Sequence, residues 1–183
     1  MPAPRMTTDE YLRTPETALP TELVYGILRD AAAPAPRHQS ALLRLLIRLV
    51  QHVESHRIGH VWPSPIDVIL DAERHLVVQP DLIMICTERL HIVTDRVRGA
   101  PDLVVEVLSP DPRIGRLDER LGWFARYGVR ECWLLHQFSR ELEVLEFAGG
   151  VVASRRRFAA DSPIQSKVLP EFTASLERIL DSW

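Results

Sequence analysis

A glutamate stands in the middle of the most apolar stretch of the sequence. Glu106 interrupts a run of leucines and valines between Leu103 and Leu108. Removing an unpaired carboxylate from water costs several kcal/mol, so a buried glutamate needs a partner. Glu106 must therefore be paired with a cation, protonated, bound to a metal or placed at a pocket. An ion pair with one of the many arginines is the structural alternative to a functional site.

An aspartate interrupts a second apolar run. Asp81 follows Pro80 between Val77 and Ile85. Proline cannot donate to a strand ladder, so the chain must form an edge, a bulge or a bend here, and such places redirect side chains. Aspartate after proline most often serves a turn. The four apolar residues that follow Asp81 argue against a simple turn.

Two carboxylates on neighbouring strands would form a site of hard oxygen ligands. Such a site suits Mg²⁺ or Mn²⁺. A bound ion of this kind lowers the pKa of a coordinated water and stabilises charge on a phosphoryl oxygen. Asp81 and Glu106 are therefore candidate metal ligands. Glu22, at the start of the first predicted strand, either completes the cage or lies on the surface.

The spacing of apolar residues indicates the elements that must hold these carboxylates. Leu42, Leu45, Leu49 and Val53 recur at helical spacing and predict a helix over residues 38–56, which Gly59 would end. Further helices are predicted over 117–127 and over about 170–181. Strands are predicted over 22–29 as a strand or hairpin, 64–70, 76–86 with an interruption at Pro80, 102–108, 132–135, 141–147 and 151–158.

This order of elements predicts a single domain over residues 1–183, of α/β or α+β class, with a mixed β-sheet flanked by helices. The segment 102–108 lacks alternation and is expected to be a central strand buried on both faces. A short N-terminal arm, residues 1–20, precedes the first strand. It is expected to carry a short helix capped by Thr8 or Asp9.

The composition limits the class of protein. The chain has 183 residues and a formal net charge of −3. Its pI near 6.2 disfavours a strongly basic nucleic-acid binder, whose pI usually exceeds about 9. No apolar run approaches the roughly 18 residues of a membrane span. The N-terminus lacks the apolar core of a secretory signal, and two cysteines are too few for a disulfide framework. A cytoplasmic protein is therefore expected.

Several short segments, in order along most of the chain, resemble one known family. They are Glu22-Leu-Val-Tyr-Gly26, Pro36-Arg37-His38, Pro65-Ile-Asp67-Val, Val78-Gln-Pro-Asp81, Gly99-Ala-Pro-Asp-Leu-Val-Val-Glu106-Val-Leu-Ser-Pro110 and Tyr127-Gly-Val-Arg-Glu-Cys-Trp133. Together they are similar to the Uma-two family of restriction endonucleases and to the wider PD-(D/E)xK nuclease pattern. The resemblance implies a restriction-endonuclease-like core. It also implies a Mg²⁺-dependent (or Mn²⁺-dependent) hydrolase of phosphodiester bonds that acts on nucleic acid, with DNA the expected substrate.

The resemblance also implies roles for individual residues. Asp81 and Glu106 would hold the metal, and Glu22 would assist them. His38 would enter the site from the start of the long helix, and it shares a helical face with Leu42. A helix N-terminal histidine in contact with solvent is an equal alternative.

The lysine of the family pattern is replaced in this chain. The (D/E)xK arrangement places a lysine two residues after Glu106, where this chain has Leu108. In the Uma-two pattern the lysine comes instead from the following helix, and the matching position is Arg120. Arginine can bind a phosphate with two hydrogen bonds, but it does not readily lose a proton and so cannot act as a general base. Lys167, the one lysine among 22 basic residues, lies far along the chain.

Three functions remain open after this departure. In the first, the metal alone generates hydroxide and Arg120 contacts the scissile phosphate, so the protein cuts. In the second, catalysis has lapsed, and the domain binds nucleic acid or a protein partner without cleavage. In the third, the domain is structural and Glu106 is merely paired with an arginine. A homodimer is the expected assembly.

Two other groups of residues are weaker candidates. His52, His56 and His60 could hold a transition metal, but Gly59 breaks the helical register, so these histidines are expected to line the end of the helix. The basic run 155–157 either contacts phosphates or protects an edge strand with charge, and the edge strand is favoured.

Overall fold

The computed structural model describes residues 5–15, 20–30, 33–108 and 117–180. Ser109 and Pro110 of the family-like segment lie outside these ranges, as does the last residue of the predicted C-terminal helix. The helices are α1 (Thr8–Leu12), α2 (Pro36–His56), α3 (Leu117–Tyr127) and α4 (Leu176–Leu180), with a 3₁₀ helix at Thr87–Ile92. The strands are β1 (Thr21–Val24), β2 (Ile27–Asp30), β3 (Gly59–Pro63), β4 (Val68–Asp71), β5 (Leu76–Val78), β6 (Leu82–Cys86), β7 (Val97–Arg98), β8 (Leu103–Leu108), β9 (Glu131–His136), β10 (Glu141–Ala148) and β11 (Val151–Phe158).

The larger of the two sheets has the strand order β11-β10-β9-β8-β6-β3. β8 runs parallel to β9 and antiparallel to β6, so the sheet is mixed. This confirms the predicted mixed sheet flanked by helices. The first three residues of β8, Leu103, Val104 and Val105, are all buried. The absence of alternation therefore correctly predicted a central strand, because both faces of β8 are covered.

The smaller sheet has the order β2-β1-β5-β4-β7, and the chain changes sheets at Pro80-Asp81. β5 ends at Val78 in the smaller sheet, and β6 begins at Leu82 in the larger one. The predicted strand 76–86 is thus two strands that belong to different sheets. Proline offers no N–H to the ladder, so β5 ends before Pro80. The chain bends at Asp81.

The two faces of the larger sheet are covered by different helices. Leu42, Leu45 and Leu49 of α2 pack into the core on one face. Leu121 and Phe124 of α3 pack into the core on the other face. The helical spacing of these apolar residues is what lets one side of each helix be buried. Both predicted helices are confirmed, and α2 begins two residues earlier, with a proline in its first turn.

The structure corrects the predicted ends of two helices. α1 is capped by Thr7 rather than by Thr8 or Asp9, because Thr7 and Glu10 form a reciprocal capping box. α2 ends at Arg57, which takes a left-handed conformation with φ 55°. Gly59 instead begins β3, a strand that the sequence did not reveal. A Cβ at Gly59 would overlap the carbonyl oxygen of Ile85 on the paired strand, so only glycine fits there.

Two further elements are shorter than predicted. The strand expected over 64–70 begins only at Val68. Within the described residues, the C-terminal helix begins at Leu176 rather than near residue 170, because the carbonyl of Ala174 accepts a hydrogen bond from the N–H of Ile164 instead of serving a helix. None of the helices in the described ranges combines the length and the apolar character needed to cross a membrane.

A buried aspartate joins the two strands β6 and β8 at the end remote from Glu106. The side chain of Asp102 is fully buried and accepts hydrogen bonds from the backbone N–H of Cys86 (2.8 Å) and from Arg89 Nη1 (2.9 Å). Arg130 Nη1 lies 3.4 Å from the same carboxylate. Burial alone would raise the pKa of Asp102, but these donors lower it below its ordinary value. The ionised carboxylate therefore stabilises this end of the sheet.

We predict that Asp102→Ala lowers the free energy of unfolding by about 3–5 kcal/mol, because the buried partners lose their anion. Urea unfolding followed by tryptophan fluorescence measures this difference. Asp95→Ala, which removes an exposed carboxylate paired with Arg98, is the matched control and should leave the midpoint unchanged. Equal midpoints for the two variants would contradict the stabilising role.

The same network predicts a direction for the pH dependence. Because the folded pKa of Asp102 lies below its unfolded value, its contribution is fully present above the unfolded pKa. The contribution is lost as the pH falls through the folded pKa. The difference in unfolding free energy between the wild type and Asp102→Asn should therefore shrink as the pH is lowered below about 4. A difference that grows in acid would overturn this assignment.

Candidate active site

Asp81 and Glu106 meet at one end of the larger sheet. In the antiparallel ladder, Leu82 of β6 pairs with Val105 of β8. One step further along the same register, Asp81 lies opposite Glu106. Their side chains come from adjacent strands at the carboxyl end of β8, as the sequence predicted for neighbouring carboxylates. Because the chain changes sheets here, β6 begins only at Leu82, and the backbone bends at Asp81.

The guanidinium of Arg120 binds two carboxylates at once. Its Nη1 donates to both oxygens of Glu22, at 2.8 and 2.7 Å. Its Nε and Nη2 donate to Glu106 Oε1, at 3.0 and 2.7 Å. Arg120 is buried on the first turn of α3, so these charges are held away from water. A central guanidinium thus links β1 of the smaller sheet to β8 of the larger one.

Glu22 is completely buried and fully engaged. Besides the two bonds from Arg120, its Oε1 accepts the backbone N–H of Gln79 at 2.7 Å. Glu22 is therefore not a surface residue, and both of its oxygens accept hydrogen bonds from the protein. Within the described ranges no three histidine, cysteine, aspartate or glutamate side chains are arranged to hold a metal ion together. The assisting role of Glu22 at a metal stays a prediction of the sequence.

His38 contacts Asp81 from the start of α2. Its Nε2 lies 3.2 Å from Asp81 Oδ2, and the imidazole is buried. The same oxygen accepts the backbone N–H of Val107 at 2.7 Å. Burial lowers the pKa of His38, but the hydrogen bond and the charge of Asp81 outweigh it and raise the pKa above its ordinary value. The alternative of a solvent-facing histidine is wrong, because the first turn of α2 lies against the sheet.

Glu106 has one engaged oxygen and one open one. Oε1 receives both bonds from Arg120, whereas Oε2 accepts no hydrogen bond from any of the described residues. Burial raises the pKa of Glu106 to about 7, with Arg120 opposing the rise and the negative charges of Asp81 and Glu22 adding to it. The ion pair of Glu106 with an arginine, which the sequence analysis gave as the alternative to a functional site, is thus present. It occupies only half of the carboxylate.

Two contributors to the site carry no sequence signal of their own. The N–H groups of Gln79 and Val107 each hold a carboxylate, and backbone donors are the same in every non-proline residue. The Gln79 side chain also donates to Asp67 Oδ1 at 2.9 Å. Asp67 in turn accepts hydrogen bonds from Tyr11 (2.9 Å) and Arg96 (2.9 Å). Asp67 therefore helps to hold Gln79, whose N–H binds Glu22, and both residues lie in the family-like segments.

The comparison with protein families decides the identity of the chain. A model of the Uma2 (Uma-two) family, described as "Putative restriction endonuclease", matches residues 8–177. The chain belongs to the Uma2 family. This confirms the resemblance that the short segments indicated. The comparison with curated proteins gives no match.

One solved structure has a fold similar to that of the Uma2 chain. That crystal structure is described as "a putative nuclease belonging to DUF820" from Anabaena variabilis ATCC 29413. The two chains are 18% identical, with a TM-score of 0.81, and the similarity covers 96% of this chain and 98% of that one. At this identity the likeness supports the architecture.

The weaker candidates of the sequence lie away from this site. The rings of His52 and His56 stack at 4.2 Å, and His52 Nε2 lies 2.9 Å from the carbonyl oxygen of Pro170, at the predicted end of the helix. The basic run 155–157 belongs to β11, an edge strand of the larger sheet, as the favoured of its two interpretations predicted. Its arginines are paired with carboxylates of β10. Lys167 also faces β10, where it pairs with Glu146.

The triad of Glu22, Arg120 and Glu106 in this Uma2 chain gives a test of the site geometry. Arg120→Met should lower the free energy of unfolding by about 3–5 kcal/mol, because the buried Glu22 and the largely buried Glu106 lose their cation. Urea unfolding followed by tryptophan fluorescence measures the loss. Arg29→Met, which breaks a half-exposed pair with Glu119, should have little effect.

A triple variant makes the same test independent of simple misfolding. Glu22→Gln and Glu106→Gln, added to Arg120→Met, remove the uncompensated charges and should recover part of the lost stability. If Arg120→Met costs no more than Arg29→Met, the carboxylates are not buried around Arg120 as described.

Proposed function

We propose that this Uma2 protein is a metal-dependent endonuclease that hydrolyses phosphodiester bonds of nucleic acid, with DNA as the substrate. The observation that carries the proposal is the pair of carboxylates at the end of β6 and β8. Asp81 and Glu106 each keep one oxygen free of hydrogen bonds from the described residues. Both side chains are partly open to solvent, with 21% and 13% of their surface exposed. Membership of the Uma2 family supports the same activity.

The residues present fit a Mg²⁺ ion. Magnesium keeps several waters and is usually bound by only one or two carboxylates plus substrate phosphates. Asp81 and Glu106 would hold it, and Mn²⁺ suits the same oxygen ligands. Arg120 lies between Glu22 and Glu106, and Asp81 beside His38 adds a third carboxylate, so a dication would reduce the mutual repulsion of these negative charges. When bound, such an ion supplies a water of lowered pKa and positive charge for a phosphoryl oxygen.

The protein's own residues orient the two carboxylates. Arg120 holds Glu106 Oε1, which fixes the direction of Oε2. The N–H of Val107 and the ring of His38 hold Asp81 Oδ2, which fixes Oδ1. Arg120 cannot serve as the general base, because a guanidinium does not lose its proton in proteins. Its four hydrogen bonds to Glu22 and Glu106 make it a positioning residue, with one Nη2 hydrogen left for a phosphate.

One observation favours a second function. The position that carries lysine in the family pattern holds an arginine whose donors are almost all consumed by buried carboxylates. A site without a titratable amine suits a domain that binds nucleic acid or a protein partner and does not cleave. The proposal of a homodimer applies to either function.

Cleavage assays separate the two functions. With Mg²⁺ or Mn²⁺ we expect cleavage of DNA that EDTA abolishes, and Asp81→Ala should reduce the rate at least about a hundredfold because the metal and its water are lost. RNA is assayed in parallel. Asp95→Ala, an exposed carboxylate outside the site, is the control and should cleave like the wild type. Cleavage that persists in Asp81→Ala would overturn the assigned site, and no cleavage by the wild type on any substrate would favour the silent module.

Metal binding can be measured without activity. A ligand that binds the folded state alone stabilises it by about 2.7 kcal/mol at a hundred times its Kd, so Mg²⁺ should raise the Tm of the wild type. Asp81→Asn should remove this rise, and Asp95→Asn should keep it. An equal rise in Asp81→Asn would place the metal elsewhere.

A further inference from the structure

An exposed aromatic ring lies at the same end of the larger sheet as the carboxylates. Phe138 stands in the turn between β9 and β10 with 59% of its surface exposed. The guanidinium of Arg37 lies over its ring, 4.7 Å from the centroid. Arg140 belongs to the same turn and is also exposed. We call Phe138, Arg37 and Arg140 the aromatic platform.

The aromatic platform is connected to the Asp81 side of the site through α2 and to the Glu106 side through β8. Arg37 directly precedes His38, whose ring meets Asp81. Arg37 Nη2 donates to the carbonyl oxygen of Gln137 at 3.3 Å, and Gln137 Nε2 donates to that of Leu108 at 3.0 Å. Leu108 is the last residue of β8, two residues beyond Glu106.

The strand register sets the distance between ring and carboxylates. Leu134 of β9 pairs with Glu106, and Phe138 follows four residues later. At a rise of about 3.3 Å per residue, the backbone of Phe138 lies no more than about 13 Å along the strand direction from the level of Glu106. A few nucleotides of an extended strand cover that span.

The chemistry of the platform matches a strand with unpaired bases. Neither Arg37 nor Arg140 is paired with a carboxylate among the described residues, although many other arginines of the chain are neutralised in that way. Two guanidinium groups without a carboxylate partner among the described residues, beside an exposed ring, are the combination with which proteins hold single strands: the ring stacks on a base and the cations contact phosphates. Arg37 and Arg140 also line one cleft together with Ala41, Gln137 and Leu180.

We propose that the aromatic platform binds an unpaired base next to the scissile phosphate, with Phe138 stacking on the base and Arg37 and Arg140 contacting flanking phosphates. This inference rests on the proposed function and names its substrate class, a single strand or a duplex with an unpaired stretch. In an intact duplex the base faces are covered by their neighbours, so Phe138 has no face to stack on.

Binding without cleavage tests the platform. In EDTA, the anisotropy of a fluorescein-labelled short oligothymidine should show binding to the wild type that is tighter than binding to a blunt duplex of equal length. Phe138→Ala should weaken single-strand binding by about 5- to 150-fold, the range of one lost base stack. Phe138→Trp should keep the affinity because it still stacks, whereas Phe138→Leu, which is apolar without a ring, should behave like the alanine variant.

Charge variants and controls complete the test. Arg37→Gln should reduce the slope of log affinity against log salt by roughly 0.7, the value for one phosphate contact on a single strand. Arg74→Gln, an exposed arginine of the β4–β5 turn, and Val151→Ala, an exposed apolar residue of β11, should leave affinity and slope unchanged. Because Phe138 is exposed, its variants should keep the unfolding midpoint of the wild type.

The outcomes distinguish this inference from the proposed function. Unchanged single-strand binding in Phe138→Ala, or a preference of the wild type for the duplex, overturns the platform even if metal-dependent cleavage is found. Ring-dependent binding by a protein that never cleaves supports the platform and assigns it to the silent module.

Discussion

The guanidinium of Arg120 lies between two carboxylates that belong to different sheets, Glu22 of β1 and Glu106 of β8. Neither carboxylate could be buried alone, because the cost of removing each from water would be several kcal/mol. With Arg120 between them, both are ionic partners of one cation. The smaller sheet, the larger sheet and α3 therefore meet at this residue.

A buried ion pair is weak evidence for stability, since apolar residues of similar volume often stabilise a core as well or better. What the triad does provide is direction. Two hydrogen bonds from the planar guanidinium fix the carboxylate of Glu106, so that Oε1 is held and Oε2 is open. The fixed carboxylate is what a metal-binding residue needs, because ligands must be held within a narrow range of geometry.

The second constraint is the change of sheet at Pro80-Asp81. The proline ends β5, and the chain enters the larger sheet at Leu82. Asp81 thereby lies directly before the start of β6, opposite Glu106 and in contact with His38 and the N–H of Val107. An aspartate inside a continuous strand would have had its backbone fixed in the ladder and its side chain buried in one of the cores. The site and the division into two sheets thus have the same local cause.

The sequence by itself determined the long helices, the central strand and the residues that gather at its end. Apolar spacing predicted α2 and α3, because burial of one helix face leaves a helical periodicity whatever that face packs against. The unbroken apolar run predicted β8, because a strand buried on both faces lacks alternation. Glu106 and Asp81 stood out because a charge in such a run is costly. The short segments predicted the Uma2 family and the restriction-endonuclease-like fold.

Only the tertiary structure decided how these residues contact one another. It divided residues 76–86 between two sheets and made Gly59 the start of a strand. It also engaged both oxygens of Glu22 and used most of the donors of Arg120 to bind carboxylates. Those outcomes depend on backbone donors such as the N–H of Gln79 and Val107 and on contacts between residues up to 98 positions apart. Neither kind of interaction leaves a pattern along the chain.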